Sequence, residues 1–410
     1  MSSVGMFANA KKKVLVVYGT RPEAIKMAPM VACLAGSQHC EPVVAVTGQH
    51  RAMLDQVNDL FGIRPRHDLN IITERQQLGD VTSRVLVGLA GVIAAEHPDA
   101  ILVQGDTTTC FAAALAGFYA HVPIVHLEAG LRTNNIANPF PEECNRRLTT
   151  RLAAVHLAPT RGAMDNLLCD GVQRSDIVVT GNTVIDALLH VEALGIPSEN
   201  RDVDKIAGRR SVLITAHRRE SFGEPMARTA RAIARLAARF PEIVFLLPAH
   251  LNPRVREVLL PPLEGLSNVV VTSPLGYGDF VRAMHDCELI LTDSGGVQEE
   301  APTFGKPVLV LRDTTERPEA VEAGTVRLVG TDEDTIVREA TTLLTDPSEY
   351  AVMARAVNPY GDGRAASRCV QSIEHYFGLG SLPDEFGADQ DIFPMPSAPD
   401  AARVVNDFAA

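Results

Sequence analysis

The sequence has no excess of positive charge, no paired cysteine motif and no long apolar run. Its 410 residues include 38 Lys and Arg against 50 Asp and Glu, which gives a net charge of -12. A general affinity for nucleic acid or for an acidic membrane surface is therefore not expected. The seven cysteines form no C-x-x-C pair and are odd in number, so neither a disulfide framework nor a structural metal is predicted.

Apolar runs also stay short of the ~18 to 20 residues that a helix needs to cross a bilayer. The amino terminus shows neither the apolar core nor the cleavage site of a signal peptide, which favours a cytoplasmic location. There is no G-x-x-x-x-G-K-[ST] phosphate loop, and the G-x-G-x-x-A match at 361–366 follows a Pro-Tyr break instead of a strand. Enzymes that use ATP or a nicotinamide are therefore disfavoured, and no cofactor is predicted.

What the chain does contain is an alternation of short apolar runs with helical segments. Its length allows two domains, each with its own core. The alternation predicts an α/β fold of two doubly wound, Rossmann-like parallel sheets with a cleft between them. The predicted strands are 14–18, 43–47, 101–104, 124–127, 156–158 and 177–180 in the first half, and 212–215, 244–247, 269–272, 289–292 and 308–311 in the second.

A polar, turn-rich segment at 194–200 separates the halves. We predict a first domain at 12–190 and a nucleotide-binding second domain at 195–360, followed by a last helix at 365–378. Residues 1–11 and 379–410 are expected to be mobile tails, the second of them because it is rich in Pro, Asp and Ala.

Residues 293–325 most directly suggest a ligand. The apolar run 288–292 ends at Asp-Ser-Gly-Gly, where a helix is expected to begin. The glycines let a ligand approach the backbone, and the free N–H groups of a first helical turn suit a phosphate. Glu299 and Glu300 lie about one turn further on, where one of them is suited to accept hydrogen bonds from a ribose. Pro302 predicts that this helix is short or kinked.

Polar side chains follow other predicted strands as well. Because the carboxyl ends of parallel strands share one edge of a sheet, we expect these side chains to line the cleft. The candidates are Arg21, Lys26, Gln49, Asp106, Glu128, His217 and His250. Acids and a histidine facing cationic groups across a cleft are typical of catalysis on a nucleotide-linked sugar.

Several of these candidates also have a purely structural interpretation, which the sequence leaves open. Asp106 is also suited to cap a helix, and Glu128 is also suited to pair with Arg132 and hold it in place. His217 is equally typical of a hydrogen-bonded histidine in the core. The alternative for Arg21 is a residue that only covers the corner between strand and helix, and for Lys26 it is a solvated side chain on a helix surface.

The longer motifs match those of one enzyme family. They are G-T-R-P-E-A-I-K-M-A-P at 19–29, G-D-T-T-T at 105–109, H-L-E-A-G-L-R-T at 126–133, P-F-P-E-E at 139–143, T-G-N-T-V-I-D-A-L at 180–188, A-H-R-R-E at 216–220, H-L-N-P at 250–253, the run 293–319 and N-P-Y-G-D-G at 358–363. With these motifs in this order, the chain resembles the bacterial non-hydrolysing UDP-N-acetylglucosamine 2-epimerases. The resemblance implies a GT-B architecture, in which the helix at 365–378 returns to the first domain, and a homodimer.

The resemblance further implies an isomerase that interconverts UDP-GlcNAc and UDP-ManNAc and so supplies surface polysaccharide precursors. The implied route eliminates UDP to give a 2-acetamidoglucal and then adds UDP back. Four alternatives stay open: an epimerase of a related UDP-sugar such as a 2,3-diacetamido uronate, a hydrolysing epimerase, a GT-B glycosyltransferase and a non-catalytic UDP-sugar sensor.

Carried over position by position, the resemblance implies three sets of site residues and no metal. The catalytic set is Asp106, Glu128, Glu142 and His217. The substrate-binding set is Arg21, Lys26, Arg146, Phe280, Ser294, Gly295, Gly296, Glu300 and Arg317. Some relatives bind a second UDP-GlcNAc as an activator, and the residues that match this site are Gln49, Arg75, Gln76, Arg218 and His250.

Four positions depart from the family pattern. Gln104 stands where many relatives have His, Asn134 and Asn138 stand for Gly and Ser, and Ala52 replaces a glutamine near the activator site. These departures bear on activator binding and on the decoration of the sugar, and they leave the reaction class unchanged.

Overall fold

The computed structural model describes residues 10–49, 51–73, 76–133, 135–218 and 221–388. Within these ranges the chain forms a seven-stranded and a six-stranded sheet, and every strand pair in both is parallel. The prediction of two doubly wound sheets is thereby confirmed.

The first sheet has the order β3-β2-β1-β4-β5-β6-β7. Its strands are β1 Lys12–Tyr18, β2 Cys40–Val46, β3 His67–Asp68, β4 Ala100–Gln104, β5 Ile124–Leu127, β6 Val155–Ala158 and β7 Ile177–Val179. Its helices are α1 Arg21–Gly36, α2 Arg51–Leu60, α3 Leu78–Glu96, α4 Thr108–Tyr119, α5 Glu142–Leu152, α6 Arg161–Cys169 and α7 Thr183–Leu194. The central strand β4 is buried along its whole length, as a strand covered by helices on both faces must be.

The second sheet has the order β10-β9-β8-β11-β12-β13. Its strands are β8 Ser211–Thr215, β9 Val244–Pro248, β10 Val269–Thr272, β11 Leu289–Thr292, β12 Val308–Val310 and β13 Val326–Leu328. Its helices are α8 Arg201–Asp204, α9 Glu224–Arg239, α10 Pro253–Leu259, α11 Tyr277–Asp286, α12 Gly295–Glu300, α13 Pro318–Glu322, α14 Glu333–Thr345 and α15 Pro347–Ala354. Short 3-10 turns occupy Arg174–Asp176, Pro261–Leu263 and Ala301–Phe304.

Strands β3 and β13 were not predicted. Each lies at an edge of its sheet, and they contain two and three residues. Of their five residues only Val326 is fully buried, so neither strand leaves an apolar pattern in the sequence, and the position of each is set by the neighbouring strand.

The direction of winding reverses between β1 and β4 in the first sheet and between β8 and β11 in the second. In open parallel sheets, ligands bind at this switch point, beyond the carboxyl ends of the strands. The loops that follow these four strands begin at Gly19, Gly105, Ala216 and Asp293. The topology therefore places these four loops at the edge of each sheet where a ligand is expected to bind.

The last helix, α16 Ala365–Tyr376, packs on α1 and α7 of the first domain, as predicted. The carboxylate of Asp186 on α7 accepts hydrogen bonds from the backbone N–H groups of Ala365 and Ala366, at 3.2 and 2.8 Å. A carboxylate at the amino terminus of a helix interacts favourably with the helix dipole. This contact fixes the return of the chain to the first domain.

The expected start of the second tail needs correction. Glu385 forms an ion pair with Arg174 and accepts a hydrogen bond from the backbone N–H of Val179, while the N–H of Phe386 donates to the carbonyl of Val179. Residues 379–388 therefore pack on β7, because their backbone and acidic side chains satisfy polar groups of that edge strand. Residues 1–9 and 389–410 lie outside the described part of the chain.

Helix α3 is the one helix among the described residues that is long and apolar enough to cross a membrane, with a mean hydropathy of 1.5. We expected from the sequence that no apolar segment would be long enough to span a bilayer, and α3 exceeds that length, although the charged residues Asp80 and Arg84 lie in its first turns. Its buried residues include Val85 and Leu89, and the helix packs on α4. Packing helices of globular proteins pass the same test of length and composition, so this feature is weak evidence for a span.

Gly19 is expected to be essential for the packing of the β1–α1 turn. A Cβ atom at this position would lie 2.0 Å from Oγ1 of Thr47 and 2.7 Å from Oγ1 of Thr109. We expect Gly19→Ala to lower the free energy of unfolding by about 1 to 3 kcal/mol in urea titrations, as overpacking does.

Gly36, at the end of α1, provides the matched control, because nothing lies within 4 Å of a Cβ there. Gly36→Ala is expected to leave stability unchanged or to raise it by up to about 1 kcal/mol, since alanine favours a helix. Equal losses in the two variants would contradict the packing argument.

Candidate active site

Glu128 lies at the carboxyl end of β5 and is buried. Its backbone has a left-handed φ of 61°, which non-glycine residues adopt uncommonly and which is concentrated at functional sites. One carboxylate oxygen accepts from Nζ of Lys26 at 2.5 Å, and the other accepts from Nε2 of Gln104. Although burial raises the pKa of Glu128, Lys26 and Arg317 hold it below its usual range. The structure therefore holds a buried, ionised carboxylate at this strand end.

The structural alternatives for Glu128 and Lys26 are wrong. Arg132 pairs with Asp170 at 2.8 Å, so Glu128 is not its brace. The side chain of Lys26 is only 14% exposed, so it is not a solvated surface group. Burial lowers the pKa of Lys26, but Glu128 and Glu299 raise it above its usual range, so the cation persists.

Asp106 follows β4 and pairs with Arg146. Nη2 of Arg146 lies 2.5 Å from Oδ2 of Asp106, and Nδ2 of Asn145 donates to the Asp106 carbonyl at 2.9 Å. The cap of α4 is Thr107, whose hydroxyl accepts from the N–H of Cys110, so Asp106 is not a helix cap. Arg146, which was expected to bind substrate, is buried and orients Asp106 in the structure.

Glu142 is the first residue of α5 and is half-buried. Its neighbour Glu143 is fully buried and pairs with Arg146 and Arg147, at 3.3 and 2.7 Å. Within the described ranges, Glu142 itself forms no ion pair and accepts no hydrogen bond from a protein group. Of the three predicted catalytic carboxylates, it is therefore the one that has no cationic partner among the described residues.

His217 follows β8 and pairs with Asp293, which follows β11. Nδ1 of His217 lies 3.1 Å from Oδ1 of Asp293, and the other Asp293 oxygen accepts from the backbone N–H groups of His217 and Arg218. The His217 side chain is 39% exposed, so it is not a core histidine. Asp293 therefore holds the backbone at His217 through these two hydrogen bonds and places a carboxylate beside the imidazole, a ring suited to acid or base chemistry.

The predicted phosphate grip is formed by α12, whose cap is Ser294. Arg317 lies over its first turn, because a Cβ on Gly295 would be 3.2 Å from the guanidinium carbon of Arg317. Nε of Arg317 also pairs with Glu299 at 2.7 Å. Helix α12 ends after six residues, and a 3-10 turn that contains Pro302 follows, as predicted. The arrangement combines a helix start, glycine backbone and a guanidinium, which suits a diphosphate.

Glu300, the predicted ribose ligand, accepts a hydrogen bond from the hydroxyl of Tyr277 at 2.9 Å. Burial and the neighbouring Glu299 raise its pKa to about 7. Arg21, the first residue of α1, interacts electrostatically with Glu300 and Tyr277 across the domains, and burial lowers its pKa. Arg21 thus faces the second domain and does more than cover a corner.

Phe280 lies on α11, two turns before the grip strand β11 along the chain, and is partly buried against the main apolar core. It lies three residues after Tyr277 on this helix, and its contact with a nucleotide base stays a prediction.

Residues 32–374 match the family model described as UDP-N-acetylglucosamine 2-epimerase. The UDP-N-acetylglucosamine 2-epimerase of Escherichia coli K12 is 51% identical over 370 residues, which cover 88% of this chain and 98% of that protein. The chain belongs to the UDP-N-acetylglucosamine 2-epimerase family.

Solved structures of the family share the fold. A Neisseria meningitidis UDP-GlcNAc 2-epimerase bound to UDP-GlcNAc superposes with a TM-score of 0.83 at 47% identity, over 88% of this chain and 100% of that chain. A Methanocaldococcus jannaschii UDP-GlcNAc 2-epimerase in complex with UDP-GlcNAc and UDP gives a TM-score of 0.74 at 30% identity, over 88% and 99%. The predicted GT-B architecture, family and enzyme class, an isomerase, are confirmed.

Among the residues that match the activator site of some family members, Arg218 and His250 belong to the second sheet and Gln49 to the first. His250 stacks on the ring of His217 at a centroid distance of 5.8 Å, and Arg218 follows His217 directly with its Nε buried and unpaired among described residues. Gln49 accepts from the hydroxyl of Thr109 on α4 at 3.2 Å. The members on the second sheet thus adjoin the predicted catalytic histidine.

The other predicted activator residues are less informative. Gln76 accepts from the backbone N–H of Thr73 at 3.3 Å, and Arg75 lies outside the described residues. Ala52, one of the departures from the family pattern, is exposed on α2. Asn134, another departure, is also outside the described part of the chain.

Sequence reasoning missed two residues that organise this epimerase site. Glu23 is buried, accepts from the N–H groups of Gly19 and Thr20, and accepts from the hydroxyl of Thr107, so it ties the β1 and β4 loops together. Asn182 donates to two carboxylates, one from each domain. Both residues stand inside motifs quoted for the family, and only the motif as a whole signalled them.

The raised pKa of Glu300 predicts a pH-dependent stability. In the unfolded chain this carboxyl ionises near 4.5, whereas in the ligand-free fold it ionises near 7, so the fold keeps a proton that the unfolded chain has lost. Stability is therefore lost as the pH rises from about 4.5 to 7. We expect Glu300→Gln to stabilise the protein by on the order of 3 kcal/mol at pH 8 and by much less at pH 5 in denaturant titrations. An equal effect at both pH values would contradict this assignment.

Proposed function

We propose that this chain interconverts UDP-GlcNAc and UDP-ManNAc by inverting the configuration at C2. The observation that carries the proposal is the meeting of two sets of groups across one cleft. Asp106 and Glu128 come from the first sheet, and the His217–Asp293 pair and Arg317 come from the second. Relatives with about 50% identity are named for this activity.

Elimination and re-addition account best for the chemistry. The proton on C2 is not next to a carbonyl, so a single base is poorly suited to remove and return it. When the C1–O bond breaks, its electron pair leaves with UDP, the C2 proton passes to a base, and a C1–C2 double bond forms. Re-addition of UDP and delivery of a proton to the opposite face of C2 complete the inversion. Groups with different protonation states on the two faces are required.

The described side chains include candidates for these groups. Glu128, held ionised by Lys26, and Asp106, held by Arg146, are carboxylates fixed near cations, whereas Glu142 has no such partner. Proton removal and delivery are assigned to this set together with His217. Arg317 and the start of α12 are suited to stabilise the charge of the departing diphosphate.

The same proposal assigns the nucleotide. Ser294, Gly295 and Gly296 present backbone N–H groups to the diphosphate, Glu300 accepts from the ribose hydroxyls, and Arg21 adds a cation from the first domain. Phe280 borders the uracil. We include in this proposal a second UDP-sugar that binds as an activator at Gln49, Arg218 and His250. His250 stacks on His217, Arg218 follows His217 in the chain, and Gln49 contacts Thr109 on α4, so these residues border the proposed substrate cleft.

The first test is proton NMR with UDP-GlcNAc in deuterated water, without metal, nicotinamide or acceptor. We expect UDP-ManNAc to form, with deuterium at C2 of both sugars, because the C2 proton exchanges with solvent through the base. Free N-acetylmannosamine with UDP would support the hydrolysing alternative, and conversion of only a 2,3-diacetamido uronate sugar would support the related epimerase. Unchanged substrate that turns over only with an acceptor would support a transferase.

Asp106→Asn is expected to lower kcat by about 100-fold or more, as loss of an acid–base group does. Asp59→Asn is the matched control. Asp59 is an exposed carboxylate on α2 that pairs with Arg64 in the following loop, so its replacement should leave kcat unchanged. A non-catalytic sensor would show binding of UDP-GlcNAc by calorimetry with no turnover in the wild type as well.

We also propose a homodimer formed through α3 and α4, with a cytoplasmic location. Val87 on α3 is 71% exposed, and Phe118 and Tyr119 at the end of α4 are 55% and 64% exposed, so both of these helices, which pack on each other, expose apolar side chains. A second copy of the chain would cover this face.

Sedimentation velocity tests the dimer. We expect Val87→Asp to shift the protein towards the monomer, because it places a charge in the interface. Val352→Asp is the control, since Val352 is 70% exposed on α15 of the second domain. A monomeric wild type, or equal shifts in both variants, would contradict the proposed interface.

A further inference from the structure

Asn182 occupies the junction between the two domains. It is the cap of α7, is 3% exposed, and its backbone N–H donates to the carbonyl of Tyr360 at 2.7 Å. Its side-chain oxygen accepts from the N–H of Val184 at 3.1 Å. The amide is therefore fixed from its oxygen side, and the direction of its NH2 group is set by the fold.

The NH2 group of Asn182 divides its two protons between two acids. Nδ2 donates to Oε1 of Glu128 at 3.1 Å and to Oε2 of Glu299 at 2.9 Å. Glu128 follows β5 in the first domain, and Glu299 lies on α12 in the second. One neutral amide thus holds two carboxylates of different domains at a shared point.

Each of these carboxylates also has its own cation. Glu128 pairs with Lys26 at 2.5 Å, and Glu299 pairs with Arg317 at 2.7 Å. The complete row runs Lys26, Glu128, Asn182, Glu299, Arg317, with two positive and two negative charges. The first pair contains a predicted catalytic residue, Glu128, and the second contains Arg317, whose guanidinium lies over the first turn of α12.

We propose that Asn182 is a positioning residue that couples the closed arrangement of the two domains to the orientation of Glu128. This proposal rests on the proposed epimerase function. When the second domain closes, Glu299 reaches the amide, and the same movement brings Arg317 and the start of α12 towards Glu128. The carboxylate that acts at the sugar and the cation that receives the leaving group are then set together, which prevents cleavage in an open cleft.

Only an amide of this length performs this task. Its NH2 group has two donors for two acceptors, and its oxygen is needed for the cap. Aspartate would add a third negative charge between Glu128 and Glu299, and alanine would leave both oxygens without this donor.

The test uses Asn182→Ala in the full-length protein, with three measurements. We expect kcat for the NMR-monitored epimerisation to fall 10- to 100-fold, while the Kd of UDP in calorimetry changes less than threefold. The acidic limb of the kcat profile should move to higher pH, because Glu128 loses a donor to its ionised form. The radius of gyration of the ligand-free protein in X-ray scattering should increase, because the closed arrangement loses its bridge.

Asn268→Ala is the matched control. Asn268 is half-buried and also uses its NH2 group as a bridge, donating to the carbonyls of Ala237, Phe240 and Ile243 at 3.0 to 3.1 Å, but all three lie within the second domain. This variant should lose stability without moving the pH profile or the radius of gyration. The coupling is overturned if Asn182→Ala shows the same profile and radius as the wild type, or only the stability loss of Asn268→Ala.

The two proposals fail separately. A wild type that does not epimerise UDP-GlcNAc overturns the proposed function, whereas the scattering comparison between Asn182→Ala and Asn268→Ala still decides the coupling. A wild type that epimerises, together with an Asn182→Ala variant whose kcat is within twofold of it, overturns the positioning role alone.

Discussion

The cleft is built around two buried ion pairs, one from each domain, that a single amide joins. Lys26 and Glu128 come from the first domain, Glu299 and Arg317 from the second, and Asn182 joins the two pairs. Removal of each ion from water costs several kcal/mol, and removing one partner of such a pair leaves an uncompensated buried charge. Through Asn182 the position of Glu128, the predicted catalytic carboxylate, is therefore linked to that of Glu299 and of the predicted phosphate site at α12.

Linking the two domains in this way matters if the substrate is cleaved during the reaction. If UDP leaves C1 before it returns, both fragments must stay in place while a proton changes face at C2. The left-handed backbone of Glu128 and the Asp293 oxygens that hold the His217 loop fix two of the candidate groups before substrate arrives. Preorganised groups of this kind need no rearrangement during the reaction, so the movement that remains is the closing of one domain on the other.

The sequence predicted what depends on local pattern. Each buried strand appears in the sequence as a short apolar run, so eleven strands could be predicted. Polar residues that follow these runs, such as Asp106 and His217, indicated which edge of each sheet lines the cleft. The hydrogen-bond and ion-pair partners of these residues could not be predicted. Lys26 and Glu128 are 102 residues apart, and Asn182 and Glu299 are 117 apart, so their pairing depends on how two independently wound sheets face each other. Packing of the segment 379–388 was missed for the same reason, because its composition is that of a solvated tail.

Positional isotope exchange tests the central claim, that the cleft holds both fragments of a cleaved UDP-sugar. UDP-GlcNAc carries ¹⁸O in the oxygen between C1 and the β-phosphorus, and ³¹P NMR follows the label in the substrate recovered at partial conversion. If the C1–O bond breaks while UDP stays bound, rotation of the β-phosphate moves the label into non-bridging positions, and we expect this at a rate comparable to turnover. Epimerised sugar whose ¹⁸O stays entirely in the bridge would contradict the account.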